Sequence, residues 1–261
     1  MSGKVKYSVF VAFSRLWLAD DFLRMFDALD IPKDVTEVCF YNDTEDQALY
    51  DKLHSWMNNN HGKWVAVKLF TSNAPRVREY DVPERRDRIV TMKKNSVQMI
   101  GDSEYVFCLE DDTFVEPDTF KRLLGLIEDK PGVGVVSGVE VGRWNIPVYG
   151  VWKIDPLDKP TKVSTMPHKD SGIQEVDGLG WYCYITPTKL YKEADYHYEA
   201  ECIGPDVAFT LDLRRRGYKA LADWSIKCKH VSRHGILEPN SEVKVAEWGI
   251  ENGLLKLQKI V

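Results

Sequence analysis

The chain of 261 residues has no apolar run approaching the roughly 18 residues that a bilayer-spanning helix requires. Its N-terminus lacks the basic, apolar and small-residue order of a secretory leader. These absences predict a soluble, cytoplasmic protein with no membrane insertion. Cysteine is scarce: the five, at 39, 108, 183, 202 and 228, are widely spaced and include no C-x-x-C pair. Cys39 and Cys108 fall in apolar runs, where a reduced thiol packs as a small hydrophobe. A zinc site drawn from Cys202, Cys228, His230 and His234 would match no common ligand spacing. There is no G-x-x-x-x-G-K-[ST], hence no P-loop. Gly132, Gly134 and Gly138 miss G-x-G-x-x-G by one residue and precede a strand where a dinucleotide motif should follow one. Positive charge is not in excess; the net charge of −5 gives no global reason for a nucleic-acid coat or a membrane-surface protein. No internal repeat or low-complexity tract is visible.

What is present describes a large globular core: 44% hydrophobic residues, with 8 Trp, 12 Tyr and 10 Phe. The first half alternates strand and helix patterns. Strands are expected at 7–13, 37–41, 64–70, 105–109 and 133–139, with helices at 19–29, 47–58, 83–100 and 117–128 between them. Asp46 closes a polar turn as a possible N-cap. This order implies an α/β fold with a mostly parallel central sheet and right-handed crossovers. Residues 140–175 are punctuated by Gly and Pro and suit an irregular functional excursion holding a hairpin, 147–153 against 161–165. A strand at 180–186, a helical turn at 188–192, a helix at 205–216 and a strand at 218–222 follow.

The most telling local feature is Glu110-Asp111-Asp112, three carboxylates delivered by the apolar run Tyr105–Leu109. Open α/β sheets bind ligands at the carboxyl ends of their strands. Side chains alternate along a strand, so Glu110 and Asp112 can share a side while Asp111 points away. Two hard oxygen donors suit Mg²⁺ or Mn²⁺; a solvated acidic turn is the plain alternative.

Several segments then fall in one order: Asn42-Asp43-Thr44-Glu45-Asp46 after the second strand, Glu110-Asp111-Asp112, Pro117-Asp118-Thr119-Phe120, Asp177-Gly178-Leu179-Gly180, Gly204-Pro205-Asp206 and His230. Together they resemble a glycosyltransferase of the GT-A (Rossmann-like) fold, closest to the family 2 group, across roughly residues 5–232. The resemblance implies a single domain over 1–261, with a nucleotide-sugar half at about 1–139, an acceptor half at about 140–235, and a C-terminal tail or helix at 236–261. It implies that Asn42 and Asp43 hold the base or ribose of a UDP- or GDP-sugar. Glu110-x-Asp112 stands where the D-x-D motif binds Mn²⁺ or Mg²⁺ and the diphosphate, with Glu in place of the usual first Asp. Asp112 and His230 are then the expected metal ligands, Glu110 a second or indirect one, and Asp111 a donor-side residue. Gly178 and Gly180 resemble the segment beside the donor sugar. Asp206 resembles the general base of inverting members, although Pro205 replaces the usual Glu; a helix-dipole carboxylate is its plain alternative.

Cations are needed where a diphosphate leaves, and Arg85, Arg86, Arg88, Lys93 and Lys94 precede the acidic strand. Arg88 is the donor-binding candidate, and most of the others read as solvated. Trp144, Trp152, Trp181 and Tyr182 are aromatic candidates for the acceptor or donor-sugar side. The resemblance leaves the acceptor open among a saccharide, a lipid-linked intermediate, a protein and a modified nucleic-acid base, the last receiving no help from the net charge. Two rivals remain: a nucleotidyltransferase, for which the first strand lacks a glycine-rich basic successor, and a non-catalytic GT-A-like binding module.

Overall fold

The computed structural model describes residues 5–72, 83–142, 147–199, 203–240, 242–251 and 254–261. The candidates Trp144 and Cys202 lie outside the described residues. Strand β1 (Tyr7–Phe13) is buried on both faces apart from Ala12, as its unbroken apolar run requires. Helix α1 (Leu16–Asp27) lays Ala19, Phe22, Leu23 and Phe26 on the sheet. Strand β2 (Thr36–Asn42) leads to α2 (Gln47–Asn60), where the Asp46 carboxylate accepts from the Ala48 and Leu49 amides at 3.0 and 3.3 Å, an N-cap. Strand β3 (Ala66–Thr71), α3 (Pro83–Met99) and β4 (Tyr105–Glu110) complete the alternating first part of the chain.

There follow β5 (Thr113–Phe114), α4 (Thr119–Asp129), β6 (Val133–Val139), β7 (Val141–Gly142), β8 (Val148–Tyr149), β9 (Val151–Asp155), β10 (Lys162–Thr165), β11 (Ile173–Val176), β12 (Gly178–Leu179) and β13 (Cys183–Pro187). The chain continues through α5 (Thr188–Glu193), α6 (Pro205–Arg215), β14 (Lys219–Lys227), β15 (Lys229–Ser232), β16 (Gly235–Leu237), β17 (Ala246–Glu251) and β18 (Leu254–Ile260).

The main sheet has eight strands in the order β11-β14-β6-β13-β4-β1-β2-β3. The β3-β2-β1-β4 block is parallel, as the strand–helix alternation predicts. Strand β13 then enters antiparallel between β4 and β6, and β11 lies antiparallel on β14. Periodicity alone could not reveal either insertion. Alternation across the sheet sorts its side chains into two cores. Val9, Val11 and Phe13 join Phe22, Phe26 and Trp56 on one side, and Phe10, Cys108 and Tyr184 join Tyr191 and Phe209 on the other. The first is rich in ring contacts: Phe26 alone meets Phe40 and Trp56 edge-to-face at 5.6 and 5.7 Å and stacks on Trp64 at 5.8 Å.

The expected hairpin in the irregular stretch exists, shifted along the chain: β9 pairs with β10 from Lys162↔Asp155 to Thr165↔Trp152. The expected C-terminal tail or helix does not. Residues 246–260 form the antiparallel pair β17·β18, which completes a second sheet ordered β12-β9-β10-β17-β18. The reason is a third apolar cluster, in which Ala246 and Trp248 close over Trp152, Val163, Val207 and Leu211. Helix α6 is thereby gripped on two faces, by Phe209 and Leu213 in the second core and by Val207, Ala208 and Leu211 in the third. Among the described residues no helix is long and apolar enough to cross a membrane.

Candidate active site

The acidic cluster sits at the carboxyl edge of the main sheet, where β1 and β4 end side by side. Its three carboxylates separate by function. Asp111 is buried and turned to the end of β1, accepting from the Ser14 amide at 2.7 Å and from Arg15 Nη1. Asp112 is fully buried, and Arg15 Nη2 lies 2.7 Å from its Oδ2. Glu110 is half-buried at the tip of β4 and is one of the anions that act on Lys93 and Glu140.

His230 is distant in sequence but arrives through the short β5·β15 ladder, where it stands opposite Thr113 while the Val231 amide donates to the Asp112 carbonyl at 2.8 Å. Its Nε2 lies 3.1 Å from Asp112 Oδ2. Its Nδ1 donates to the Val141 carbonyl at 2.9 Å and lies 3.2 Å from Glu140 Oε1. Anchoring Nδ1 in this way presents Nε2 toward the carboxylate, the tautomer that a metal-ligating imidazole needs. Carboxylate oxygens with one imidazole nitrogen form a hard donor set that fits Mn²⁺ or Mg²⁺. Asp112 and His230 are the residues brought together to hold such an ion, while among the described residues the Glu110 carboxylate does not gather with them into a three-residue ligand cluster.

The motif reading did not single out Arg15 or Glu140. Glu140 follows the buried strand β6, takes the Thr113 hydroxyl on Oε2 at 2.5 Å, and backs His230. Burial pushes its carboxyl well above the usual range, and the charge of Glu110 pushes the same way. Both residues stand just past the carboxyl end of a buried strand, and that position is the signal that could have found them.

At the end of β2, Asp43 and Arg88 come together: the Arg88 Nε lies 3.1 Å from both Asp43 oxygens, and Nη2 donates to the Asp43 carbonyl at 2.5 Å. Asn42 is buried and accepts from the Thr44 hydroxyl at 3.1 Å. It lines a cavity of about 260 Å³ with Thr44, Glu45, Asp46, Gln47, Tyr50 and Thr71. Asn42 Nδ2 and Thr71 Oγ1 are buried there without hydrogen-bond partners, which leaves an amide donor and a hydroxyl for a polar ligand.

On the other side, Asp206 occupies the first turn of α6, with its Oδ1 accepting from the Val207 amide at 2.9 Å. Gly178 lets that helix approach: a Cβ there would fall 2.7 Å from Val207 Cγ1. Gly180 makes room for the Tyr182 ring, 2.6 Å from where its Cβ would stand, and lies beside Asp206. Burial pushes the Asp206 carboxyl up to about 6, against the pull of nearby amides and the Lys93 charge.

Lys93 departs from the solvated reading. It is buried beneath the site, its Nζ 4.5 Å from the Trp181 ring centre and 5.0 and 5.3 Å from those of Phe10 and Tyr184, and it donates to the Tyr184 hydroxyl at 3.2 Å. Burial lowers its pKa; Cys108, Glu110 and Asp206 oppose that. The same packing corrects the aromatic expectation. Trp152, Trp181 and Tyr182 are core residues, at 4, 5 and 4% exposure, and Trp181 meets Tyr196 and Phe209 edge-on. His234 is exposed in the turn between β15 and β16, and among the described residues Cys228, His230 and His234 form no ligand cluster. The group His197, Glu199 and Asp212 also gathers ligand-type atoms, but Arg215 binds both carboxylates, making it an ion-pair network.

No family model and no curated protein matches the chain by sequence. Solved structures do. A mannosyltransferase from Pyrobaculum calidifontis, PcManGT, in complex with GDP-Man and Mn²⁺, aligns over 89% of this chain and 59% of its own at 16% identity, with a TM-score of 0.60. GalNAc-T7 with UDP, GalNAc and Mn²⁺ aligns over 88% and 44% at 12% identity, with a TM-score of 0.62. The fold is that of the GT-A glycosyltransferases. The protein A197 from STIV aligns end to end, over 98% of this chain and 99% of its own, at 13% identity and a TM-score of 0.51. The chain thus spans 59% and 44% of the first two and nearly all of the third.

Proposed function

We propose that this GT-A chain is a metal-dependent glycosyltransferase that moves a sugar from a UDP- or GDP-sugar to an acceptor nucleophile with inversion. The observation that carries it is the convergence of Asp112 and His230, Nε2 to Oδ2 at 3.1 Å, at the strand edge that also carries Glu110. Asp206 stands on the neighbouring helix start, beside Gly180. The Mn²⁺-bound nucleotide-sugar enzymes among the structural neighbours support the donor class. A divalent ion at Asp112 and His230, with Glu110 as a second or indirect ligand, would supply Lewis acidity for the leaving diphosphate.

The remaining roles belong to the chain. The Asp43–Arg88 pair and Asn42 receive the base and ribose. Gly178 and Gly180, packed against α6 and the Tyr182 ring, set their segment beside the sugar. Asp206 accepts the proton from the acceptor hydroxyl as its oxygen attacks the anomeric carbon and the bond to the diphosphate breaks. A carboxyl pushed up to about 6 is a stronger base than an ordinary aspartate and still ionised at neutral pH. Saccharides, lipid-linked intermediates, proteins and modified nucleic-acid bases all offer such a nucleophile. The order of motifs supports kinship with the family 2 group within this fold.

The test is a thermal-shift panel of UDP, GDP and other nucleoside diphosphates, with and without Mn²⁺ or Mg²⁺, followed by turnover of the matching nucleotide-sugars. One nucleotide should raise the melting temperature only with metal, and Asp112→Asn should remove that shift. Absence of any metal-dependent shift and any donor turnover across the panel would leave a binding module or another chemistry.

A further inference from the structure

We propose that Arg15 is a donor-site cation that holds Asp112 while the site is empty and transfers to the donor's diphosphate when a divalent ion takes that carboxylate. Ion and nucleotide then bind as a pair, not separately. The inference rests on the metal-dependent donor reading above.

One oxygen carries the argument. Asp112 Oδ2 is approached by Arg15 Nη2 at 2.7 Å and by His230 Nε2 at 3.1 Å. It is therefore the oxygen that faces the imidazole across the candidate ion position, and a guanidinium already stands on it. A divalent cation bound between Asp112 and His230 would meet that guanidinium at near contact in a buried setting, where like charges repel strongly. An ion held on that oxygen and Arg15 exclude one another.

Arg15 has the means to leave without dismantling its surroundings. Its side chain is 17% exposed, whereas Asp112 is 0% exposed. Its other arm rests on Asp111, and Asp111 also takes the Ser14 amide at 2.7 Å, so that carboxylate keeps a partner when the guanidinium swings. It also has somewhere to go. A diphosphate held at this strand edge would place anionic oxygens beside a guanidinium, whose planar fork suits phosphate. Arg15 is also the N-cap residue of the 12-residue helix α1, whose first turn carries no acidic side chain and whose leading amides take no bond to the cap side chain. The helix terminus thus adds amide donors to the same anion.

The experiment is a calorimetric titration of Mn²⁺ into the full chain, alone and in saturating UDP or GDP, for wild type, Arg15→Gln and Arg15→Lys. Wild type should bind Mn²⁺ about tenfold or more tighter with its nucleotide than without, a coupling within the usual allosteric range. Arg15→Gln should tighten nucleotide-free Mn²⁺ binding by about tenfold, weaken nucleotide binding, and bring the coupling toward unity. Arg15→Lys leaves a cation for Asp111 but no second arm for Asp112. It should shift nucleotide-free Mn²⁺ binding in the same direction by a smaller factor, and it carries the test if the glutamine variant fails to fold. Nucleotide-free Mn²⁺ affinity that is unchanged or weaker in the variant that folds would overturn the proposal while leaving the donor reading standing. Wild-type protein that binds neither Mn²⁺ nor nucleotide would overturn both.

Discussion

Replacing Asp206 with Asn should make the protein more stable and far less active, and both effects can be sized from its surroundings. Burial moves the carboxyl from 3.8 to about 6 in the folded chain. A shift of roughly two units at about 1.4 kcal/mol each makes the ionised form cost about 3 kcal/mol of folding free energy as an upper figure. Partial solvent access on this half-buried residue reduces that to about 2–3 kcal/mol. The sign follows from proton binding. Because the folded pKa is raised, the folded state holds the proton more tightly, so the cost is absent below about pH 3.8 and complete above about pH 6. The asparagine side chain would keep an oxygen for the Val207 amide, now donated at 2.9 Å to Oδ1, while avoiding the buried charge. Chemical denaturation of D206N against wild type should therefore show a gain of about 2–3 kcal/mol at pH 7.5, shrinking to about a third of that at pH 4.5. In melting temperature the pH 7.5 gain is about 5–10 °C for a chain of this size. Transfer activity should fall by about 10²–10⁴-fold, the range for losing a general base. The wild-type kcat/KM should rise with pH along a limb centred near 6, reaching about one tenth of its plateau at pH 5. An Asp206→Asn variant that is less stable at pH 7.5, or a wild-type profile flat from pH 5 to 8, would refute the assignment of a buried, working base.

Two further outcomes test the supports of the site. Glu140→Gln keeps the Thr113 and His230 contacts in shape but alters the acid behind the imidazole; it should weaken Mn²⁺ binding in the presence of nucleotide by about 10–100-fold with the fold intact, measured by calorimetry. Phe26→Ala removes a ring packed among Phe40, Trp56 and Trp64 and should cost about 3–5 kcal/mol in urea unfolding, with no change in the pH limb of any activity that remains.

The elements most legible in the sequence were those whose partners lie nearby or whose burial is complete. Strands β1 and β6 were readable to the residue because both faces are covered, so their apolar runs are unbroken and their ends abrupt. The Asp46 cap was readable because its partners are two and three residues away. Asp43 and Arg88 were named as donor-side candidates and Asp112 and His230 as expected ligands, and each two stand together in the fold, although their direct contacts were not read from the sequence. Tertiary partnership hid the rest. Lys93 looks like any polar residue on the hydrophilic helix α3, and only the rings of Phe10, Trp181 and Tyr184 reveal that it is enclosed. Arg15 offers no motif, since its partners are nearly a hundred residues away on β4's end. The β17·β18 hairpin alternates too weakly to announce itself, and it forms because β10 presents an open edge for β17.

Helix α6 illustrates a division of labour within the molecule. Its inner face belongs to the core beneath the main sheet, but its outer face is seated on a separate apolar cluster finished by Ala246 and Trp248. The carboxylates at the end of β4 depend on neither residue. Substitutions in the outer cluster should therefore move Asp206 more than Asp112, whose partners Arg15 and His230 lie on other elements. Such a change would reach the proposed donor side only through the inner core and Lys93, which feels both Glu110 and Asp206.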